Sequence, residues 1–318
     1  MDFESIQAAR QRLAPYLRTT PLVFSVPFSR MAGRNVWLKL ETQQPTGSFK
    51  VRPALNSSLV HLEAARKAGV LTSSSGNFAQ GVAWAARELG LDATIVMMGN
   101  SSPYKIAQTE ALGAKVVRCG NSFEERWETT YRLERETGRV LLHPYDSEET
   151  IAGDGTVGLE LLDQLPGDFT VAVPGSGGGL IAGIATAVKH ARPGSCVVAV
   201  QPEANGSLAR SLEAGKRVNV GAVHTMADAL VASTPGERTF AIAQQLVELV
   251  VLVSEDEIAR GVRELALQQK IVAEPGGAVA VAALLAGKLP AGSGAMVCVI
   301  SGGNVTAEIL AGLLAPPA

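Results

Sequence analysis

The run Glu41-Thr-Gln-Gln-Pro-Thr-Gly-Ser-Phe-Lys-Val-Arg52 joins an apolar segment, Val36–Leu40, to a segment with helical spacing that begins at Ala54. The apolar segment is predicted to be a β-strand, so Lys50 lies at a strand-to-helix turn, shortly after Gly47. A lysine at such a turn can point into a cleft, where loss of solvent makes its amine a nucleophile able to form a Schiff base. Most lysines are solvated surface charges, so this segment alone leaves a surface role open.

The rest of the chain alternates between strand-like and helix-like segments. Of 318 residues, 47% are hydrophobic but only 5% are aromatic, which is typical of helices packed on parallel sheets. Further strands are predicted at Ala93–Met98, Lys115–Arg118, Val140–Leu142, Phe169–Val173, Val197–Val200, Leu249–Val253 and Ala295–Ile300. Helices are predicted at Phe78–Leu89, Tyr104–Leu112, Phe123–Glu136, Gly155–Gln164, Leu180–His190, Glu237–Val247, Glu255–Gln269 and Ala278–Leu285. The alternation predicts βαβ units and an α/β fold, with an open, twisted, mostly parallel sheet flanked by helices.

The domain organisation must come from an insertion, because no repeat, low-complexity tract or flexible linker divides the chain. The inserted unit is predicted at about residues 66–144, as two or three βα units that end at Leu142-His-Pro144. Residues 1–65 and 145–318 are then expected to form the large domain. The last residues follow closely on the final predicted strand, so we expect no appended regulatory domain.

Charge and cysteine content exclude several classes of protein. A net charge of -2 gives no electrostatic basis for binding nucleic acid or a membrane surface. The three cysteines, Cys119, Cys196 and Cys298, form no CxxC motif, which fits the reducing cytoplasm and argues against a structural zinc site. The N-terminus lacks the basic and apolar stretches of a signal peptide, and no apolar run is long enough to span a membrane.

A glycine-rich loop, Pro174-Gly-Ser-Gly-Gly-Gly-Leu180, follows one predicted strand and opens a helix. Its glycines allow backbone N–H groups to crowd together, and the helix start adds positive potential, so the loop favours phosphate binding over a simple packing turn. Gly177-x-Gly179-x-x-Ala182 also matches a loose dinucleotide fingerprint, with Glu203 about 20 residues further on. A nicotinamide enzyme is therefore a competing interpretation, although it leaves Lys50 unexplained.

Three other loops carry polar groups suited to a ligand. Ser73-Ser-Ser-Gly-Asn-Phe-Ala-Gln80 offers hydroxyls, a carboxamide and N–H groups at a helix start, more than a helix cap needs and suited to a carboxylate. Ser301-Gly-Gly-Asn304 follows the last strand, at the sheet edge where open parallel sheets bind ligands. Glu274-Pro-Gly-Gly277 is either a turn or a carboxylate that faces the site, and His143 is assigned no role.

These features in this order resemble the fold-type II pyridoxal-phosphate enzymes, specifically the serine/threonine dehydratase and serine racemase family. The resemblance runs nearly end to end, through Ser48-Phe-Lys-Val-Arg52, Ser74-Ser-Gly-Asn77, His143-Pro144 with Ile151-Ala-Gly-Asp-Gly-Thr156, the glycine-rich loop and Ser301-Gly-Gly-Asn304. It implies the tryptophan synthase β-like fold, a small mobile domain at residues 66–144 that closes over the substrate, and a homodimer.

The resemblance also implies residue roles. Lys50 would carry pyridoxal 5'-phosphate as a Schiff base and, once released, act as the base at Cα. Contacts with the cofactor are implied for Phe49, Lys50, Asn77, Ser176, Gly177, Gly178, Gly179, Glu274 and Ser301, and contacts with the substrate carboxylate for Ser74, Ser75, Asn77 and Phe78. Ser301 at the pyridine nitrogen cannot keep the ring protonated, which favours β-elimination over a long-lived carbanion.

Departures from the family pattern concern the substrate and the metal. Ser75 stands where many dehydratases have alanine and racemases have serine, so it is a candidate acid/base on the second face of Cα. Phe78 in place of a histidine, and Met226-Ala-Asp-Ala229 in place of Ala-Asp-Gly, admit a bulky substrate such as phenylserine, ranked below serine and threonine. Gln201 and Ser207 replace acidic ligands beside Glu203, so no required metal is predicted.

We therefore predict a cytoplasmic pyridoxal-phosphate ammonia-lyase that converts a β-hydroxy amino acid to a 2-keto acid and ammonia. Serine, threonine, phenylserine and 3-hydroxyaspartate are the candidate substrates. An amino acid racemase on the same scaffold is the first alternative, and Ser75 is the residue that discriminates it. A nicotinamide oxidoreductase and a binding protein that retains the fold are more remote, and Lys50 argues against the latter.

Overall fold

A computed structural model of the protein describes residues 1–292 and 294–315. In these ranges the strands are β1 Leu22–Phe24, β2 Val36–Leu40, β3 Val70–Ser73, β4 Ala93–Met98, β5 Lys115–Cys119, β6 Val140–Leu141, β7 Phe169–Pro174, β8 Cys196–Pro202, β9 Leu249–Val253 and β10 Ala295–Ile300. The α-helices are α1 Phe3–Leu13, α2 Val26–Ala32, α3 Val51–Val60, α4 Leu62–Ala68, α5 Asn77–Leu89, α6 Pro103–Ala111, α7 Phe123–Thr137, α8 Glu148–Gln164, α9 Gly179–Ala191, α10 Ser207–Ala214, α11 Glu237–Leu246, α12 Glu255–Glu264, α13 Pro275–Leu285 and α14 Ala307–Leu314.

The larger sheet has six strands in the order β1-β2-β10-β7-β8-β9, and only the pair β1 and β2 is antiparallel. Its central strands are mostly apolar because helices cover both faces. On one face Ala172 and Val198 pack with apolar residues of α12 and α13, and on the other Val171 and Val197 pack with α8 and α9. Successive residues of a strand therefore serve opposite layers of the core.

The smaller sheet has four parallel strands in the order β5-β4-β3-β6. Its strands lie between Val70 and Leu141 and have a separate apolar core, in which Phe78 and Val82 of α5 pack against Ile95 and Met97 of β4. This sheet lies inside the segment for which an inserted unit is predicted. The boundaries near residues 66 and 144, and the mobility of the unit, stay predictions.

Four strands agree with their predicted bounds: β2, β4, β9 and β10. Helix α8 differs most, because it begins at Glu148 rather than at Gly155. The missed part contains Gly153, which serves close packing, since a Cβ there would lie 2.7 Å from Pro53. The three-residue edge strand β1 and helices α1, α2, α10 and α14 were also absent from the prediction.

The predicted α/β class, with mostly parallel sheets flanked by helices, is confirmed. Within residues 1–292 and 294–315, no helix combines the length and the apolar character needed to cross a membrane.

Candidate active site

A cleft of about 600 Å³ lies where the carboxyl ends of β3, β4, β7 and β10 meet. Parallel strands end on one edge of a sheet, so the loops that follow them converge there. Every site residue predicted from the sequence lines this cleft: Phe49, Lys50, Ser74, Ser75, Asn77, Phe78, Ser176, Gly177, Gly178, Gly179, Glu274 and Ser301.

The turn that carries Lys50 is anchored to the end of β10. Gly47 has a φ of 68°, a left-handed conformation that favours glycine, and Ser48 forms a β-bridge with Gly302. The N–H of Phe49 donates to the carbonyl oxygen of Ser301 at 2.9 Å. The turn after β2 and the loop after β10 are therefore fixed relative to each other.

The amine of Lys50 is held among apolar rings. Its Nζ lies 4.9 Å from the ring centroid of Phe49 and 5.4 Å from that of Phe78, and it donates to the carbonyl oxygen of Pro144 at 2.6 Å. Burial lowers the pKa of Lys50, although Asp154 acts in the opposite direction. A larger share of neutral amine makes Lys50 a better nucleophile and base.

The glycine-rich loop forms a cup, residues 176–179, that we call the phosphate cup. Gly178 has a φ of 99°, and a Cβ there would lie 2.7 Å from Thr239. A Cβ on Gly179, the first residue of α9, would lie 2.6 Å from a carboxylate oxygen of Asp154. Thr239 Oγ1 donates to the carbonyl oxygen of Gly177 at 2.7 Å and fixes the loop. The cup thus offers backbone N–H groups at a helix start, a favourable setting for a phosphate.

Asn77 is oriented by two neighbours at the other end of the cleft. Its Nδ2 donates to Glu274 Oε1 at 2.6 Å, and its Oδ1 accepts from Asn304 Nδ2 at 2.8 Å. Burial raises the pKa of Glu274 to about 7, while Lys105 lowers it and Asp228 raises it further. The orientation leaves the second Nδ2 hydrogen of Asn77 for a ligand.

The loop of residues 73–76, which we call the serine loop, leads into α5. Among the described residues no side chain caps this helix, so its first N–H groups are available for an anion. Ser74 Oγ accepts from the N–H of Gly76 at 3.3 Å. Ser75 Oγ accepts from the N–H of Met98 at 3.2 Å, from Ser101 Oγ at 2.7 Å and from Arg126 at 3.4 Å.

The structure adds cleft residues that the sequence did not reveal. Ser101, Lys105 and Arg126 line the cleft, and Lys105 on α6 pairs at 2.5 Å with Asp228, which belongs to the segment Met226-Ala-Asp-Ala229 already singled out in the sequence. Arg126 lies on α7, a helix rich in charged residues that has the appearance of a solvated surface helix, yet it is 8% exposed. No local pattern in the sequence marks it.

The segment Met226-Ala-Asp-Ala229 only partly forms the cleft wall. Asp228 and Ala229 line the cleft, whereas Met226 packs against the apolar core. His143 has its pKa lowered to about 4 by burial, and its Nδ1 accepts from two backbone N–H groups, which agrees with the absence of an assigned role.

The positions compared with a cation site do not fit a metal ion. Gln201 Oε1 accepts from the N–H groups of Leu208 and Ala209 and so caps α10, and Ser207 Oγ donates to the carbonyl oxygen of Ala232. The ammonium group of Lys288 lies 3.6 Å from Glu203. Within the described part of the chain, no group of three His, Cys, Asp or Glu side chains could hold a metal.

Residues 13–302 match the family described as pyridoxal-phosphate dependent enzyme. The chain belongs to this family. It is 42% identical over 311 residues to an L-threonine ammonia-lyase of Thermotoga maritima, and the match covers 98% of this chain and 77% of that protein. It is 40% identical over 315 residues to a catabolic L-threonine dehydratase of Staphylococcus aureus, with coverage of 97% and 90%. The solved structure of maize serine racemase superimposes with a TM-score of 0.94 at 36% identity and covers 98% of this chain and 96% of that one.

The predicted family, cofactor and enzyme class, a pyridoxal-phosphate ammonia-lyase, are thereby confirmed, and the nicotinamide interpretation is set aside. The residues present fit this cofactor. The phosphate cup has no room for a Cβ at Gly178 or Gly179, and Lys50 supplies a desolvated amine in the same cleft. Buried Glu274 Oε2 has no hydrogen-bond partner among the described residues, so this oxygen is available to a polar ligand at this edge of the cleft.

Proposed function

We propose that this pyridoxal-phosphate enzyme eliminates the β-hydroxyl of a β-hydroxy amino acid and releases a 2-keto acid and ammonia. One observation carries the proposal: the desolvated amine of Lys50 lies in the same cleft as the serine loop and the uncapped start of α5. A base for the Cα proton and a site for the α-carboxylate are therefore adjacent. The relatives named L-threonine ammonia-lyase and L-threonine dehydratase support the reaction class.

Bound pyridoxal phosphate supplies the electron sink that acidifies the Cα–H bond. When the cofactor is bound, the phosphate cup would hold its phosphate, the free N–H of Asn77 would serve the ring hydroxyl, and Ser301 would serve the pyridine nitrogen. Ser74, Asn77 and the start of α5 orient the α-carboxylate.

Lys50 performs the proton transfer in this assignment. Its Nζ takes the proton from Cα, the Cβ–O bond breaks, and the departing hydroxyl takes up one proton, so that the hydrogen lost from Cα and the hydroxyl lost from Cβ leave together as water. The enamine product then takes up water and yields the 2-keto acid and ammonia. The rings of Phe49 and Phe78 keep the amine poorly solvated, which keeps it basic in its neutral form.

Serine and threonine are the first substrates we propose. A second candidate is 3-hydroxyaspartate, because Arg126 lines the cleft and its buried Nε has no hydrogen-bond partner among the described residues. A guanidinium group so placed favours a carboxylate on the substrate side chain. Phe78 and Phe123 also line the cleft and suit a bulky apolar substrate such as phenylserine.

Release of 2-keto acid tests the reaction directly. The purified protein should be yellow and should release keto acid from at least one of L- or D-serine, the threonine diastereomers, 3-hydroxyaspartate and phenylserine. Borohydride reduction should fix the cofactor to the peptide that contains Lys50, and Lys50→Ala should lower kcat about a thousandfold or more. Exposed Lys67 provides the control, since Lys67→Ala should leave kcat unchanged. A protein without bound cofactor, or trapping elsewhere, would contradict the assignment.

Racemisation is the second activity we propose to test, because Ser75 lies in the cleft and accepts hydrogen bonds from Ser101 and Arg126. Ser75→Ala should abolish any racemisation and spare dehydration of one enantiomer, as followed by chiral chromatography and keto-acid release. The control is Ser5→Ala on α1, away from the residues that line the cleft, and it should leave both activities unchanged. If both activities of Ser75→Ala fall together, Ser75 does not act on the second face of Cα.

We also propose a homodimer and a small unit that closes over the substrate. The pair between Lys105 and Asp228 joins the small unit to the larger one across the cleft and would favour the closed form. Exposed apolar side chains at β1 and α2, such as Phe24, Val26 and Met31, suit a subunit contact. Sedimentation of the holoenzyme checks the dimer. The cytoplasmic location stays a prediction from cysteine content.

A further inference from the structure

Asp154 is a buried carboxyl group for which the proposed reaction has no use. It lies on α8, is fully buried, and neither of its oxygens has a hydrogen-bond partner among the described residues. Buried carboxyl groups normally have partners, because an ionised carboxylate without one is costly. A lone buried carboxyl group beside a ligand site therefore calls for a functional explanation.

The position of Asp154 connects it to the phosphate cup. One of its oxygens would lie 2.6 Å from a Cβ on Gly179, so the carboxyl group touches the first residue of α9 from behind the cup. The group cannot swing to solvent, because α8 and α9 pack closely at this level. A Cβ on Gly183 would lie 2.5 Å from the backbone at Ile151 and Gly155.

We propose that Asp154 is a positioning residue for the phosphate cup, which holds the cofactor phosphate tightly when this carboxyl group is neutral and weakly when it is ionised. The physical reason is the like charge of a carboxylate and a phosphate dianion on two sides of one glycine. In a poorly solvated region such repulsion is weakly screened. The positive end of the α9 dipole is also shared between the two anions.

Other charged groups near Asp154 oppose one another. Burial raises the pKa of Asp154 to about 7, Lys50 and Arg52 at the start of α3 lower it, and Glu41 after β2 raises it. Tyr145, whose backbone also contacts the Gly179 position, has its pKa raised to about 12 by burial and stays neutral. The protonation of Asp154 therefore changes near neutral pH. Because phosphate binding favours the neutral form, cofactor affinity falls as pH rises above about 7.

The inference rests on the proposal that the phosphate cup holds the phosphate, and two probes separate the two ideas. Apoprotein is titrated with pyridoxal 5'-phosphate and with pyridoxal, which lacks the phosphate, between pH 6 and pH 8.5. Absorbance reports binding, so no activity is needed. If both compounds bind equally well, the cup assignment is wrong. If pyridoxal 5'-phosphate binds better than pyridoxal, the phosphate cup binds the phosphate as proposed, and the role of Asp154 is tested by the variant below.

Asp154→Asn replaces the carboxyl group with a neutral one of similar shape. The ratio of the wild-type to the variant Kd for pyridoxal 5'-phosphate should rise about tenfold from pH 6 to pH 8.5. The same ratio for pyridoxal should stay constant. Asp163→Asn, an exposed position on the same helix, should show no pH-dependent ratio for either compound. A constant ratio for both compounds in Asp154→Asn overturns the proposal. A ratio that rises equally for both means that Asp154 acts through Lys50 and also overturns it.

The wild-type protein provides a second measurement that does not depend on folding of the variant. Calorimetry at pH 8 in two buffers of different ionisation enthalpy counts the protons taken up on binding. More protons should be taken up when pyridoxal 5'-phosphate binds than when pyridoxal binds, because the bound phosphate drives protonation of Asp154. Equal uptake by the two compounds overturns the proposal.

Discussion

The protein contains two sets of buried carboxyl groups, and they differ in their partners. Glu41 and Glu160 both pair with Arg52, at 2.8 Å and 2.7 Å, and Glu160 also pairs with Lys39 at 2.5 Å. Asp154 has no hydrogen-bond partner among the described residues, and Glu274 accepts only one bond, from Asn77. The first set is a closed ion-pair network, and the second set borders the cofactor site.

Ionisation differs accordingly. Burial alone would raise the pKa of Glu160, but Arg52 and Lys39 outweigh it and the pKa is lowered. Burial prevails for the other set and raises the pKa of Asp154 and of Glu274 to about 7. Because Arg52 lies two residues after Lys50, the ion-pair network fixes the start of α3. The ionisation of the second set, Asp154 and Glu274, can change when a ligand binds. The presence of a cationic partner, rather than the depth of burial, decides which of these carboxyl groups stay ionised.

The largest expected effect comes from opening the network. Arg52→Gln leaves Glu41 and Glu160 without their shared cation, so the free energy of unfolding should fall by about 3–5 kcal/mol. Denaturant unfolding of the apoprotein at pH 7.5 measures it. The control is Arg132→Gln, which removes an exposed pair with Glu136 and should cost about 0.5 kcal/mol or less. Similar losses in the two variants would show that the buried network stabilises the fold no more than an exposed ion pair does.

An intermediate effect with the opposite sign is expected at Asp154. A carboxyl group with a raised pKa binds its proton more tightly in the folded state, so wild-type stability decreases as pH rises from about 4 to 7. Asp154→Asn lacks this penalty. The apo variant should therefore be about 1–3 kcal/mol more stable than the wild type at pH 8 and equal to it near pH 4. Denaturant unfolding at both pH values measures this, and a gain that is the same at both would contradict ionisation as the cause.

The smallest effect is expected at Glu274. Glu274→Gln can still accept the hydrogen bond from Asn77, and that same bond already supports the ionised form of Glu274, whereas Asp154 has no such partner among the described residues. The gain in apoprotein stability at pH 8 should be about 1 kcal/mol and should vanish near pH 4, by the same reasoning about sign. Thermal unfolding at the two pH values compares this gain with that of Asp154→Asn. A larger gain at Glu274 than at Asp154 would reverse the proposed order.

Much of the architecture could be predicted from local patterns. The strands β2, β4, β9 and β10 are short apolar runs bounded by polar or turn residues, a signal that needs no tertiary information. The first part of helix α8, before Gly155, was missed; it contains Gly153, a residue unfavourable in helices that here permits close packing against Pro53. The edge strand β1 is too short to form a pattern, and only its pairing with β2 defines it.

The candidate site was predictable where its residues sit in distinctive loops. Lys50, the phosphate cup and Ser301 follow predicted strands of a mostly parallel sheet, in which the carboxyl ends share one edge, and the cleft contains all of them. Arg126 and Lys105 could not be found in this way, since a charged residue on an amphipathic helix gives no local sign of burial. The three donors that surround Ser75 come from β4, the turn after it and α7, so its environment is also a tertiary property.

The sequence by itself determined which chemical groups are present: a lysine at a strand-to-helix turn, glycines without side chains at a helix start, and a serine directly after the last strand. Those properties are local, because they depend on residue type and backbone conformation. Tertiary structure alone decided the charge states around them. Asp154 and Glu160 both lie on α8, yet Asp154 faces Gly179 with no hydrogen-bond partner in the described part of the chain, whereas Glu160 faces two cations. Desolvation and Coulomb interactions depend on neighbours brought together by folding, which no local segment encodes.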